Sequence, residues 1–169
     1  MSSPDAELAP LMARFARAGQ LQWLGVRPER DVPMKVLDEV MAITGKGLVG
    51  DRYDKASGTR GVTLIQAEHL PAIASLSGHA VIDPARLRRN LVVTGISLVA
   101  LKGRRFRIGN VLLEGTASCD PCARMEAELG PGGYNAMRGM GGLCARILEG
   151  GVIRRGDAVV ALVDGRAAD

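Results

Sequence analysis

The period of the apolar positions changes near residue 20. Leu8, Leu11, Met12 and Phe15 fall at i, i+3, i+4 and i+7, one stripe of a helix spanning residues 3–18. Ser3 is suited to cap it, Pro4 to its first position, and Asp5 and Glu7 to its first turn; Gly19 stops it. The stripe predicts a helix packed on the outside of a domain. From Leu21 the pattern turns to strands. LQWLGVR (21–27), MKVLDEVMAI (34–43) and GVTLIQ (61–66) alternate or are β-branched, while AEHLPAIASL (67–76) reads as a helix. Asp83-Pro84 can open a short helical turn. Residues 44–61 form a long glycine-punctuated loop carrying Asp51, Arg52 and Arg60, and loops of this length in a compact domain tend to be functional.

The second half is short strands: 90–95, 104–108, 111–116, 143–148 and 158–163. Turns at Gly103, Gly109-Asn110, Gly150-Gly151 and Gly156-Asp157 separate them. Many short strands with turn punctuation predict a mainly β fold with a few helices (α+β), a closed or partly open β-barrel or a sandwich. The expected layout is an N-terminal helix over 1–19 outside a single domain over 20–169, with no internal repeat or linker.

Composition narrows this. A 169-residue chain that is 47% hydrophobic and 24% charged can bury a core of its own. The +4 net charge is clustered at Arg86, Arg88 and Arg89, at Lys102, Arg104, Arg105 and Arg107, and at Arg154 and Arg155. Nucleic-acid readers interleave such charge with stacking aromatics or present a basic helix. With 3% aromatics, widely scattered, the chain points away from nucleic acid. Arginine groups can instead hold a small phosphorylated anion, or guard strand edges. No apolar run approaches the ~20 residues of a membrane span. MSSPDAELAP lacks a secretory layout, so a cytoplasmic location is expected, without a membrane partner. Three cysteines there favour metal binding or reactive chemistry over a disulfide framework.

The chemistry concentrates in VLLEGTASCDPCARM (111–125), a strand running into a Cys-Asp-Pro-Cys turn at the mouth of a short helix. Four readings compete. A zinc half-site would need partners from Cys144, His69 and His79, which have no ligand spacing; His69 and His79 read as surface residues and Cys144 as a core residue. A thioredoxin-like pair would need helix–strand alternation, which is missing here. Both thiols could be small buried hydrophobes. A single working thiolate at Cys122, favoured by the helix entrance, fits the local pattern best. Gly50-Asp51-Arg52, Arg60, Arg88-Arg89-Asn90 and the glycine-rich MRGMGGL (137–143) offer guanidinium and backbone N–H donors for an anion. If these loops converge on Cys122, the site is a thiolate facing an anionic ligand.

In order, GLVGDRY, RGVTLI, RLRRNLVVTGI, LKGRRFRIGNVLLEGTASCDPCARME and GMGGLCARILEGGVIRRGDAV closely resemble the MOSC domain, named for the C-terminal domain of molybdenum cofactor sulfurases. The likeness covers about residues 20 to 163. It implies a β-barrel that binds a molybdenum cofactor, a pyranopterin whose phosphate basic residues hold. It also implies that Cys122 is the metal ligand and catalytic thiolate. Arg52, Arg60, Arg88 and Asn90 become the cofactor-binding candidates, with Asp51 orienting them. The activity implied is reduction of a small N-hydroxylated substrate, fed by a separate electron donor. The alternative is a non-catalytic persulfide carrier served by a cysteine desulfurase. Arg89, at the middle of Arg88-Arg89-Asn90, leaves open which arginine faces the ligand.

Overall fold

The strand β4 (Val62–Gln66) is buried at all five positions, so each of its faces must be covered. The computed structural model describes residues 4–53, 55, 57–164 and 166–168 and shows how. Around β4 lie β1 (Gly19–Val26), β5 (Leu91–Thr94), β6 (Arg105–Ile108), β7 (Val111–Ser118), β8 (Leu143–Glu149) and β10 (Ala158–Val163). Their order is β10-β6-β7-β8-β4-β5-β1, and β1 pairs back onto β10 through Gly19–Val159 and Gln20–Ala158. Seven strands therefore close a barrel, which leaves no open edge in the ring. All pairs in the ring are antiparallel except β4 with β5, whose parallel pairing requires a crossover. That crossover carries α2 (His69–Ser77) and α3 (Pro84–Leu87).

Alternation along β4 and β5 then sorts residues between two cores. Leu64, Leu91 and Val93 point into the barrel with Leu21, Leu24, Phe106 and Leu113. Ile65 and Val92 point outward into a second apolar cluster with Ile73, Leu87, Met125, Leu129 and Met137. The outer cluster is where α2 and α3 meet α4 (Ala123–Leu129) and α5 (Gly133–Met137). The helices thus seal one flank of the barrel and hold the Cys-Asp-Pro-Cys turn beside β4 and β5.

Three local expectations change. The first helix is shorter, α1 (Pro4–Met12), and none of its residues is buried; Leu8, Leu11 and Met12 are exposed, and only Phe15, beyond its end, packs on the barrel core. With Pro10 inside a nine-residue helix, the stripe is too short to dock. The predicted cap Ser3 lies outside the described residues. Residues 34–43 are two strands, β2 (Lys35–Leu37) on the edge of β1 and β3 (Glu39–Ala42), which pairs with β9 (Gly151–Arg154) in a separate two-stranded sheet. The Gly150-Gly151 turn runs straight into β9, an element the glycines concealed, and a two-residue β11 (Arg166–Ala167) follows β10.

Candidate functional site

The long loop lines a cavity of about 450 Å³ with Arg52, Tyr53, Lys55 and Arg60, joined by Arg27, just after β1, and Thr63 of β4. One buried carboxylate holds it there. The side chain of Asp51 is fully buried, and its oxygens accept hydrogen bonds from Arg27 Nε (3.1 Å), Arg27 Nη2 (2.9 Å) and the backbone N–H groups of Arg27 (2.7 Å) and Tyr53 (3.3 Å). Burial alone would raise its pKa; the hydrogen bonds and charge of Arg27, with the Tyr53 N–H, outweigh that and hold the carboxyl below its ordinary range. Asp51 thus orients the loop, and Arg27 is consumed in holding it. Arg52, Lys55 and Arg60 have no carboxylate partner among the described residues, so the cavity keeps a strong unneutralised positive field. Tyr53 closes one side, its hydroxyl accepting from the Arg60 N–H at 3.3 Å.

Asn90 lies beneath this cavity, with no surface exposed. Its Nδ2 donates to Asp51 Oδ1 (3.2 Å) and to the Gly25 carbonyl (3.1 Å), and its Oδ1 accepts from the Thr63 N–H and hydroxyl, both at 3.1 Å. Both donors and both lone pairs of the amide are used within the protein. Its position suits it to fixing Asp51 and Thr63 rather than touching a ligand.

The two adjacent arginines part company because Arg88 adopts a left-handed conformation, φ 58°, as it caps α3. Arg88 turns outward and donates to the carbonyls of Val32 (2.6 Å) and Glu29 (3.1 Å), in a groove beside the cationic cavity that it shares with Arg86 and Arg124. Burial, and then the like charges of Arg124, Arg27 and Arg52, lower its pKa, so it belongs to the same positive field without lining the cavity. Arg89 turns inward and is 7% exposed. It donates to the carbonyls of Gly141 (2.9 Å), Leu87 (2.9 Å), Cys119 (3.1 Å) and Asp120 (3.4 Å), pinning the Cys-Asp-Pro-Cys turn to β5.

The thiols separate just as sharply. Cys122 is the N-cap of α4 and is exposed; Cys119 and Cys144 are buried. Cys144 stands opposite Ala117 in the β7–β8 ladder, and the Cys119 N–H reaches the Gly142 carbonyl two residues before it, so the two cysteines are diagonal neighbours. Each thiol influences the other's ionisation, and the Arg60 guanidinium acts on both. Cys144 is the largest influence on Cys119; together with the charges of Arg89 and Arg60 it overcomes burial and lowers the thiol to about 6. Cys144 is pushed up by Cys119 and by burial, so it keeps its proton. Thr116 fixes the arrangement: its hydroxyl contacts the carbonyls of Thr59, next to Arg60, and of Cys144.

Sequence reasoning singled out Cys122 and assigned Cys144 to the core, and it missed the pairing of Cys144 with Cys119. The one available signal was the unexplained second arginine at position 89. Of the glycines in 137–143, Gly141 and Gly142 are needed for close packing, since a Cβ on Gly141 would collide with the Cys119 carbonyl and one on Gly142 with that of Leu64, while Gly139 faces open space. His79, expected at the surface, is half-buried and bonds the Leu129 carbonyl at 2.8 Å. The structure places Arg52 and Arg60 on the wall of one cavity and Asp51 and Asn90 behind it, bonded to Arg27 and Thr63 of that wall, while Arg88 and Cys122 are also outside its lining.

A closed seven-strand barrel with a cationic cavity, its loop anchored by a buried carboxylate, defines a small β-barrel protein. The MOSC domain model matches residues 45–160, most of the chain, and the protein belongs to that family, which is associated with molybdenum cofactor binding. Solved structures agree on the fold. YuaD from Bacillus subtilis aligns with a TM-score of 0.74 at 18% identity, over 86% of this chain and 96% of that one. YiiM from Geobacillus stearothermophilus gives 0.69 at 16% identity over 88% and 79%, and YiiM from Escherichia coli 0.66 at 19% over 85% and 70%. No curated protein matches the chain. Among the described residues no helix is long and apolar enough to cross a membrane.

Proposed function

We propose that this protein binds the molybdenum cofactor in the cationic cavity and uses it to reduce N-hydroxylated small molecules. The supporting observation is the donor set: Arg52, Lys55 and Arg60 converge, without carboxylate partners among the described residues, on about 450 Å³, a size and charge suited to a phosphorylated pterin. Arg52 and Arg60 would hold the phosphate, and Asp51 and Asn90 would keep the loop in place. Arg88 would extend the field from the adjoining groove. Cys122, exposed at the entrance to α4, would supply the sulfur ligand to the metal. When bound, the cofactor supplies the two-electron chemistry that removes an oxygen from nitrogen. A separate electron donor and a cytoplasmic setting belong to the same proposal. The test is expression in a host that makes the cofactor, with molybdenum and pterin measured in wild type, Cys122→Ser and Arg52→Gln. The expected result is full loading of the wild type and loss of metal in Cys122→Ser. Equal metal in the two, or none in either, rejects the ligand role.

The exposure of Cys122 also supports a second reading, a non-catalytic persulfide carrier, since a desulfurase partner could reach that thiol directly. Incubation with a cysteine desulfurase and cysteine, read by mass spectrometry, separates them. A stable added sulfur on Cys122, without N-oxide reductase activity in the loaded protein, favours the carrier.

A further inference from the structure

Cys119 and Cys144 stand outside the reading above, yet they form a built arrangement. They are 3% and 1% exposed and stand as diagonal neighbours at the end of the β7–β8 ladder. Cys144 stands opposite Thr63 of the cavity wall in the β4–β8 ladder, and the charge of Arg60, on the same wall, acts on both thiols. Arg89 approaches Cys119 from the other side as a buried cation whose four acceptors are all neutral carbonyls. A buried charge with neutral partners alone is costly, and an anionic sulfur at Cys119 is the compensating charge nearest to hand.

From this geometry we infer that Cys119 and Cys144 are an oxidisable dithiol that reacts with a hydroperoxide admitted through the cationic cavity. The Cys119 sulfur, held anionic by the two arginines, attacks the terminal oxygen of the hydroperoxide. An S–O bond forms, the O–O bond breaks, and the departing alkoxide takes a proton from solvent to become the alcohol. Cys119 is left as a sulfenic acid. The Cys144 sulfur then attacks the Cys119 sulfur; the S–S bond forms, the S–O bond breaks, and hydroxide leaves with the proton given up by Cys144, as water. The dithiol loses two electrons and the hydroperoxide gains them, ending as alcohol and water. Arg60 offers N–H donors to the departing oxygen, and Cys144, kept protonated, is the resolving thiol already in contact. Cys122, exposed at the end of the turn, is the competing resolver.

The experiment treats the full chain, as wild type and as Cys122→Ser, with equimolar hydrogen peroxide. Free thiols are blocked after denaturation, and non-reduced peptides are mapped by mass spectrometry. The expected product in both proteins is a Cys119–Cys144 linked peptide pair that dithiothreitol releases. In Cys144→Ser, a dimedone adduct on Cys119 is expected in place of the disulfide. Cys119 fully alkylated after peroxide, or a wild-type disulfide joining Cys119 to Cys122, overturns the inference. The wild-type map decides even if Cys144→Ser fails to fold. The protein is treated free of cofactor, with the cavity open, so failure of the disulfide to form and failure of cofactor binding are read separately.

Discussion

Arg89 reaches across from the start of β5 to donate to the Cys119 carbonyl at 3.1 Å, and its charge also draws down the Cys119 thiol. One buried side chain therefore holds the shape of the Cys-Asp-Pro-Cys turn and contributes to the ionisation of its first cysteine, behind the larger influence of Cys144. Replacing Arg89 with Met keeps much of the volume but strands the carbonyls of Leu87, Cys119, Asp120 and Gly141. Buried acceptors left without a donor cost about 1–3 kcal/mol each, with partial relief from relaxation. Urea unfolding at neutral pH is expected to show that loss, with Cys119 titrating at higher pH.

Cys119 should leave a signature in stability against pH. Its folded pKa, lowered to about 6, lies below the ordinary 9.0. A lowered acid pKa stabilises the fold above the ordinary value, and the gain is lost as pH falls through the folded one. Wild type should therefore lose stability between about pH 9 and about pH 6, and Cys119→Ser should lose much less over that window. Denaturant midpoints at unit steps of pH provide the check.

Asp51 makes the same argument at acid pH. Its carboxyl is held below 3.8, so its contribution is present above that value and disappears only in stronger acid. Asp51→Asn should be less stable than wild type by about 3–5 kcal/mol at neutral pH, because the Arg27 charge is left in a largely buried place. The two unfolding curves should converge as the pH drops below 3.8.

Asn90→Ala removes four hydrogen bonds at once and leaves the Gly25 carbonyl and the Thr63 N–H and hydroxyl without the amide. Unsatisfied buried groups cost about 1–3 kcal/mol each, with partial relief from relaxation. A total of about 3 kcal/mol is expected in thermal or urea unfolding. Asn90→Asp, isosteric but charged beside Asp51, should be no better.

Arg52 and Arg88 should differ as anion holders. Pyrophosphate titrated calorimetrically is expected to bind Arg52→Gln at least about 10-fold more weakly, the worth of one charge-assisted hydrogen bond. Arg88→Gln should change the affinity by less than about 3-fold, because its guanidinium is occupied by the Val32 and Glu29 carbonyls and acts only through a screened field.

Local chemistry made the barrel strands and the main helices legible. Alternation placed 111–116 and 158–163, Asp83-Pro84 opened α3, with the Asp83 side chain accepting from Ala85 N, and the glycine turns marked most boundaries. These depend on neighbours a few residues away, which the sequence displays directly. Short-range pattern could not show that residues 34–43 would divide between two sheets, because that division depends on which distant edge each half meets. Nor could it show that β9 follows a double glycine. The site follows the same rule. The residue types it needs, arginines on a glycine-punctuated loop and cysteines after a strand, were visible in order along the chain. Which of Arg88 and Arg89 enters the interior was decided by one left-handed residue at the end of α3. The pairing of Cys119 with Cys144 was decided by strand register, and a one-residue slip would turn one of them to the opposite face. The sequence by itself determined the barrel's parts and the chemical character of its cavity. Only the tertiary structure decided which charges are buried and where, because burial and register are properties of contacts between residues far apart in the chain.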